Sequence, residues 1–213
     1  MNNTRPRYKA VIYDCDGVMF NSLEANCVFY DSVFDHMGIR LDRHDTEMMR
    51  VIHTYANRDV LKHFFPEKDR LDEAVRFAGS IDYRKLFPLL KMEAGYMETL
   101  DCLKAHVKLA VCTNRSTSMD ALLEEFDLAG YFSMVMTAAK ADFPKPHPDP
   151  LNRILAYFGI EPQEALFVGD SAVDQQAAAA ANVPFVAYRS DLPARAVIQH
   201  HEEILAHIYC QAF

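Results

Sequence analysis

The chain has 213 residues, 50% of them hydrophobic and 24% charged, the composition of a soluble globular protein with a proper core. That length leaves room for one large domain or for a core with an inserted subdomain. A net charge of -8 argues against a nucleic-acid or anionic-membrane partner, since either needs a basic face. Cys15, Cys27, Cys102, Cys112 and Cys210 are scattered, odd in number and form no C-x-x-C pair. Reduced thiols are expected, not a disulfide frame or a zinc site. The N-terminal apolar run is too short for a signal peptide, and no stretch approaches the roughly 18 apolar residues that span a bilayer. A cytoplasmic protein is expected.

A first strand is expected at Ala10-Val11-Ile12-Tyr13, a continuous apolar run without alternation, as suits a parallel sheet covered on both faces. Residues 20–90 differ: they are rich in Phe, Met, His and charge, and contain no clear buried strand. Val28, Tyr30, Val33, Phe34 and Met37 recur at helical spacing there, so a helical subdomain is expected after the first strand. Residues 109–112 form a second buried run. Met119, Leu122, Leu123 and Phe126 then predict a helix that closes near Gly130. Residues 134–137 are a further strand candidate. Leu151, Ile154, Leu155 and Phe158 predict another helix, with Asp149 as N-cap, Pro150 at its first position and Gly159 past its end. Residues 165–168 and 184–188 complete the strands, separated by a helix over 175–181 that Asn182 closes in a left-handed conformation. Strand–helix alternation of this kind predicts an α/β fold, an open parallel sheet with right-handed crossovers.

Three of the strands run directly into residues capable of chemistry. Asp14-Cys15-Asp16-Gly17 follows the first, Thr113-Asn114 the second, and Gly169-Asp170-Ser171-Ala172-Val173-Asp174 a later one. Ligands of open parallel sheets bind beyond the carboxyl ends of the strands, so the three sets should converge on one crevice. Four carboxylates gathered there would repel one another and reject a phosphate. A hard divalent cation such as Mg²⁺ solves both problems with oxygen ligands. One Asp beside it can attack phosphorus, and a second, two residues on, can move the protons. A calcium loop of the EF-hand type is ruled out because its sixth position, here Met19, must be Gly. Lys145 sits in Phe143-Pro144-Lys145-Pro146-His147-Pro148-Asp149-Pro150. The flanking prolines favour an extended, fixed loop from which this cation can offset the carboxylates and hold a phosphate oxygen.

Together these four segments resemble the haloacid dehalogenase superfamily, in its phosphoglycolate-phosphatase-like branch. The resemblance covers nearly the whole chain and is strongest over residues 95–190. It implies a Rossmann-like core formed by residues 1–19 and 91–213, with residues 20–90 inserted as a helical cap that closes over the site. It implies Asp14 as nucleophile and Asp16 as general acid/base, with Thr113, the Asn114 backbone and Lys145 binding phosphate. It also implies Asp14, Asp16 and Asp170 around Mg²⁺, with Asp174 outer to the metal or paired with Lys145. In the cap, His53, Asn57 and Arg58 fall where the family's substrate loop lies, and the planar fork of Arg58 suits a carboxylate or a second phosphate.

The activity implied is hydrolysis of a small-molecule phosphomonoester by a monomer or homodimer, with phosphoglycolate the branch's best-known candidate. Val18, where the family often has Thr, is also the form seen in sugar-phosphate mutases of the β-phosphoglucomutase type, which keeps that activity open; Thr113 argues against it. A catalytically idle phosphate-binding module is a further alternative, which the intact motif set disfavours. Cys15 is expected to be packed, not reactive. Arg84 and Lys85 are expected at the surface, and His200-His201 on a solvated helix face.

Overall fold

A computed structural model describes residues 6–209; Cys210 lies outside the described residues. In chain order the elements are β1 (Ala10–Tyr13), β2 (Phe20–Asn21), α1 (Leu23–His36), α2 (Thr46–Thr54), α3 (Asn57–Phe64), α4 (Lys68–Ser80), β3 (Lys91–Met92) and α5 (Tyr96–Leu103). Then follow β4 (Lys108–Thr113), α6 (Met119–Glu125), β5 (Met134–Thr137), α7 (Asp149–Phe158), β6 (Ala165–Gly169), α8 (Ala172–Ala180), β7 (Phe185–Tyr188), β8 (Ala196–Ile198) and α9 (Ile204–Ile208). Six strands form one sheet in the order β5-β4-β1-β6-β7-β8, all parallel. The chain is therefore an α/β protein with the Rossmann-like open sheet its apolar runs predict. Among the described residues no helix is long and apolar enough to cross a membrane.

The sheet is buried on both faces, which is why its strands read as unbroken apolar runs. Val11 and Tyr13 point to one side, into a core shared with α1, α5 and α6. Ala10 and Ile12 point to the other, where Leu151, Ile154 and Phe158 of α7 and Ala177 and Ala178 of α8 cover them. Small residues on that face (Ala10, Ala110, Ala165, Ala187) let the helices lie close. β1 is central, flanked by β4 and β6, so successive crossovers leave it in opposite directions. That is the topological switch point at which open sheets place their ligands. Tyr13 pairs with Val111 and with Val168, so Asp14, Thr113 and Asp170 leave the sheet along one edge.

Several local expectations are corrected. α6 stops at Glu125, well short of Gly130. Asp127 takes the left-handed conformation (φ 57°), and the Leu128 N–H donates to the Leu123 carbonyl at 2.7 Å, closing the helix in a Schellman-type turn. Asp149 does not cap α7 but is its first residue, after Pro148. Its carboxylate instead accepts the Asp142 N–H and the Arg153 Nε–H at 2.9 and 3.0 Å. Gly159 (φ 63°) and Asn182 (φ 56°) terminate their helices in the left-handed region as expected. Residues 20–90 do contain a strand, the two-residue β2, paired antiparallel with β3; both are too short to carry a pattern.

His201 is also corrected. It is buried rather than solvated, and only His200 is exposed. Its ring stacks on Tyr188 at 4.4 Å between centroids. Nε2 lies 2.9 Å from the Val18 carbonyl, an acceptor, so Nε2 carries the hydrogen. Burial holds the imidazole pKa down to about 4. The unfolded chain then binds a proton that the folded chain refuses, so stability is full above about pH 6.5 and falls as pH drops toward 4. A loss of about 3 kcal/mol from this residue is expected over that window. Urea denaturation of wild type and His201→Gln at pH 7 and pH 4.5 checks it: the variant should show the flatter pH dependence. Equal slopes would remove His201 from the account.

Candidate active site

The loop after β1 turns sharply. The Met19 and Phe20 N–H groups donate to the Cys15 carbonyl at 2.9 and 3.1 Å, and Gly17 sits at φ 79°. A Cβ at Gly17 would overlap the Asp170 carboxylate, so this glycine serves both the turn and the close approach of the acidic loop. Asp14 is 7% exposed, and its N–H donates to the Val168 carbonyl at 2.9 Å. Cys15 is fully buried, and burial pushes its thiol pKa up, as expected of a packed residue.

Lys145 reaches the same floor from its proline-rich loop. That loop turns where an extended course is expected: the His147 N–H donates to the Pro144 carbonyl at 3.0 Å, closing a turn around Lys145. Lys145 is 2% exposed. It donates to the Cys112 carbonyl at 2.8 Å and to Asp174 Oδ1 at 2.5 Å. It also stands 2.8 Å from Asp14 Oδ1, at an angle that leaves that oxygen without a hydrogen bond. Asp174 is anchored from behind by a reciprocal capping box with Ser171. Gly169 is required beneath it, because a Cβ there would meet Asp174 Cβ at 2.5 Å.

Asp14, Asp170 and Asp174 each place a carboxylate oxygen within 4.8 Å of the others. Burial, and then the neighbouring Asp174, push the Asp14 pKa up to about 7 despite Lys145. Burial, Asp174 and Asp14 likewise push Asp170 well above the usual carboxylate range. Burial alone would favour neutral Lys145, but the Asp14 and Asp174 carboxylates outweigh it and hold the ammonium charged. Two of three crowded carboxylates are thus short of compensating charge, and all the donors are hard oxygens. That donor set fits a hard divalent cation.

Of the carboxylates expected around such a cation, Asp14 and Asp170 fall in the trio and Asp16 does not. Its side chain turns toward Arg115, whose Nε donates to Asp16 Oδ2 at 3.2 Å and whose Nη2 grips Oδ1. Burial would raise the Asp16 pKa, but this guanidinium outweighs it and holds the carboxyl below its ordinary value. Thr113 is buried, and its Oγ1 accepts the Arg115 N–H at 3.0 Å. Asn114, expected to act through its backbone, also uses its side chain: Nδ2 donates to the carbonyls of Thr54 and Lys145 at 3.2 and 3.0 Å. That ties α2 to the lysine loop.

A cavity of about 420 Å³ opens above this floor. Asp14, Asp16, Thr113, Lys145 and Asp170 line it, and so do His53, Asn57 and Arg58 from the helical segment. His53 is half-buried, with Nδ1 3.3 Å from Asn26 Nδ2; Arg58 is exposed. Arg84 and Lys85 are exposed and take no part in the lining. The lining residues without an expected role include Asn26, Tyr83, whose hydroxyl donates to Asn26 Oδ1 at 3.1 Å, and Arg115. Only Arg115 carried a sequence signal, a cation directly after Thr113-Asn114. Its pairing with Asp16, 99 residues away, is not written in any local pattern.

A parallel open sheet with clustered carboxylates, a buried lysine and a cavity beyond its strand ends is the arrangement of an α/β hydrolase. Residues 11–188 match the sequence profile described as haloacid dehalogenase-like hydrolase, and the chain belongs to that family. A crystal structure of a haloacid dehalogenase-superfamily hydrolase of subfamily IA, variant 1, from Geobacter sulfurreducens is 58% identical, covers 96% of this chain and 98% of that one, and superposes with a TM-score of 0.76. The phosphoglycolate phosphatase of Escherichia coli K12 is 47% identical over 91 residues, 42% of this chain. That match spans only 36% of the curated relative's length. CbbY from Rhodobacter sphaeroides, crystallised in complex with phosphate, shares the fold at a TM-score of 0.77 and 18% identity over 92% of this chain and 96% of that one.

Proposed function

We propose that this protein is a Mg²⁺-dependent phosphatase of small phosphomonoesters that works through an aspartyl-phosphate on Asp14. The observation that carries the reading is the junction of Asp14, Lys145 and the Asp14–Asp170–Asp174 trio on one cavity floor. A phosphate ester entering there would meet Lys145 Nζ and Thr113 Oγ1, groups suited to its oxygens. An Asp14 carboxylate oxygen attacks phosphorus, the ester bond breaks, and Asp16, freed from Arg115 and protonated from solvent, gives the leaving oxygen that proton. Water then attacks phosphorus, Asp16 takes its proton, and inorganic phosphate leaves with Asp14 restored. Mg²⁺ held by Asp14 and Asp170 would offset the charge that collects on the phosphoryl oxygens. Asp174 in this reading fixes Lys145 and stays outside the chemistry.

Residues 20–90 act as a cap on a core made of residues 1–19 and 91–213. His53, Asn57 and Arg58 would then meet the part of the substrate that is not transferred. The name of the Escherichia coli relative points to phosphoglycolate as the first substrate to try; conversion of a hexose 1-phosphate to its 6-phosphate without release of phosphate would mark a mutase instead.

The test is turnover of p-nitrophenyl phosphate with and without metal. Chelation should lower the rate by about 100-fold or more if the cation supplies several kcal/mol of charge stabilisation. Equal rates in Mg²⁺ and in chelator would overturn the metal dependence. The raised Asp14 and Asp170 pKa values add a sign. Metal binding must release their protons, so affinity measured by calorimetry should strengthen as pH rises through about 7.

A further inference from the structure

Arg115 is a buried cation of the cavity wall that the steps above leave without a task of its own. It is 8% exposed, and every part of it is held. Nε and Nη2 clasp the two oxygens of Asp16, and Nη1 donates to Ser118 Oγ at 3.3 Å. The guanidinium lies over the Tyr83 ring at 4.7 Å from its centroid, and the backbone N–H is fixed by Thr113 Oγ1. The fork is therefore preset in the cavity wall, and it already shows that it fits a carboxylate. The same clasp occupies both Asp16 oxygens and holds its side chain outside the Asp14–Asp170–Asp174 group.

We infer that Arg115 is a positioning residue that parks Asp16 at rest, and that the anionic, non-transferred end of the substrate takes Asp16's place in the fork and frees Asp16 to take up a proton from solvent and pass it to the leaving oxygen. This rests on the phosphatase reading. The exchange swaps one carboxylate for another, so the guanidinium keeps two charge-assisted bonds throughout and little is lost on its side. The charge balance points the same way. Lys145 is committed to Asp14 and Asp174, and Arg58 is exposed. A second anion brought next to Asp14, Asp16 and Asp170 therefore finds a buried, geometrically matched cation in Arg115. An ester without such an end leaves Asp16 parked and turns over slowly unless its leaving group needs no proton.

Three substrates separate these ideas: phosphoglycolate, hydroxyethyl phosphate as its neutral counterpart, and p-nitrophenyl phosphate, whose leaving group needs little acid assistance. Wild type should favour phosphoglycolate over hydroxyethyl phosphate by about 100-fold in kcat/KM, the scale of one desolvated bidentate charge pair. Arg115→Gln should move the two alkyl esters in opposite directions: phosphoglycolate falls by about 100-fold, and kcat for hydroxyethyl phosphate rises several-fold because Asp16 is no longer parked. A merely structural role would lower both together, and that result, or a wild type without preference, overturns the inference. Should Arg115→Gln fail to fold, Arg115→Lys keeps the buried charge but not the fork and should lose most of the preference; retained full preference overturns the inference as well. Turnover of p-nitrophenyl phosphate without any carboxylate preference sinks the exchange alone. No turnover of any of the three sinks the phosphatase reading with it.

Discussion

Asp14→Asn is expected to lower kcat by about 10⁴-fold or more, because an amide cannot take the phosphoryl group and no other carboxylate stands in its place. Stability should move the other way or stay put. The wild-type carboxylate is buried beside Asp174, and its pKa is pushed up to about 7, so without metal it is a source of strain at neutral pH. The amide keeps the shape and removes a buried charge, while Lys145 keeps Asp174 as partner. Thermal unfolding in chelator should therefore give the variant a Tm equal to or above that of wild type. Inactivity with preserved stability marks a residue kept for chemistry. Inactivity with collapse would make Asp14 a structural residue.

Lys145→Met should be damaging on both counts. The ammonium stands between Asp14 and Asp174, and Asp174 is fully buried. Removing the cation leaves two adjacent carboxylates buried and unpaired, and breaking a buried pair this way costs about 3–5 kcal/mol. Turnover should fall as well, since Asp14 would hold its proton more tightly and the incoming phosphate would lose a donor. Adding Asp174→Asn to Lys145→Met separates the effects. The double variant should regain part of the stability measured by urea denaturation, because one uncompensated charge is gone, and should regain no activity. Full additivity of the two stability losses would contradict the pairing.

The core was legible in the sequence for a definite reason. Strands covered on both faces must be apolar at every position, and β1, β4, β6 and β7 announce themselves in that way. β8 did not, since Ala196 and Val197 are partly or fully exposed on an edge strand of three residues. Much of the floor was legible because Asp14 and Asp170 directly follow strands and Thr113 ends one, and parallel register carries those positions to one place; Lys145 was legible from the prolines around it. What stayed hidden depends on contacts between distant segments. Nothing near Arg115 announces Asp16, and nothing near His201 announces Val18, 183 residues away. A His-His pair in a charged C-terminal stretch looks solvated until the sheet edge closes over one ring. Asp16 is a further case: its place in the motif predicts a residue of the acidic floor, and the partner its side chain takes, Arg115, comes from 99 residues away.

The covalent step on Asp14 is what the account stands on, and it can be trapped. Wild-type protein turning over a phosphomonoester in Mg²⁺ is quenched in acid, reduced with borohydride and digested for peptide mass spectrometry. An acyl phosphate on an aspartate is reduced to homoserine, whereas a free carboxylate is not. The account predicts homoserine at position 14 and at no other aspartate, Asp16, Asp170 and Asp174 included. Unmodified Asp14 in protein that is hydrolysing substrate at full rate, or homoserine at a different position, would contradict it.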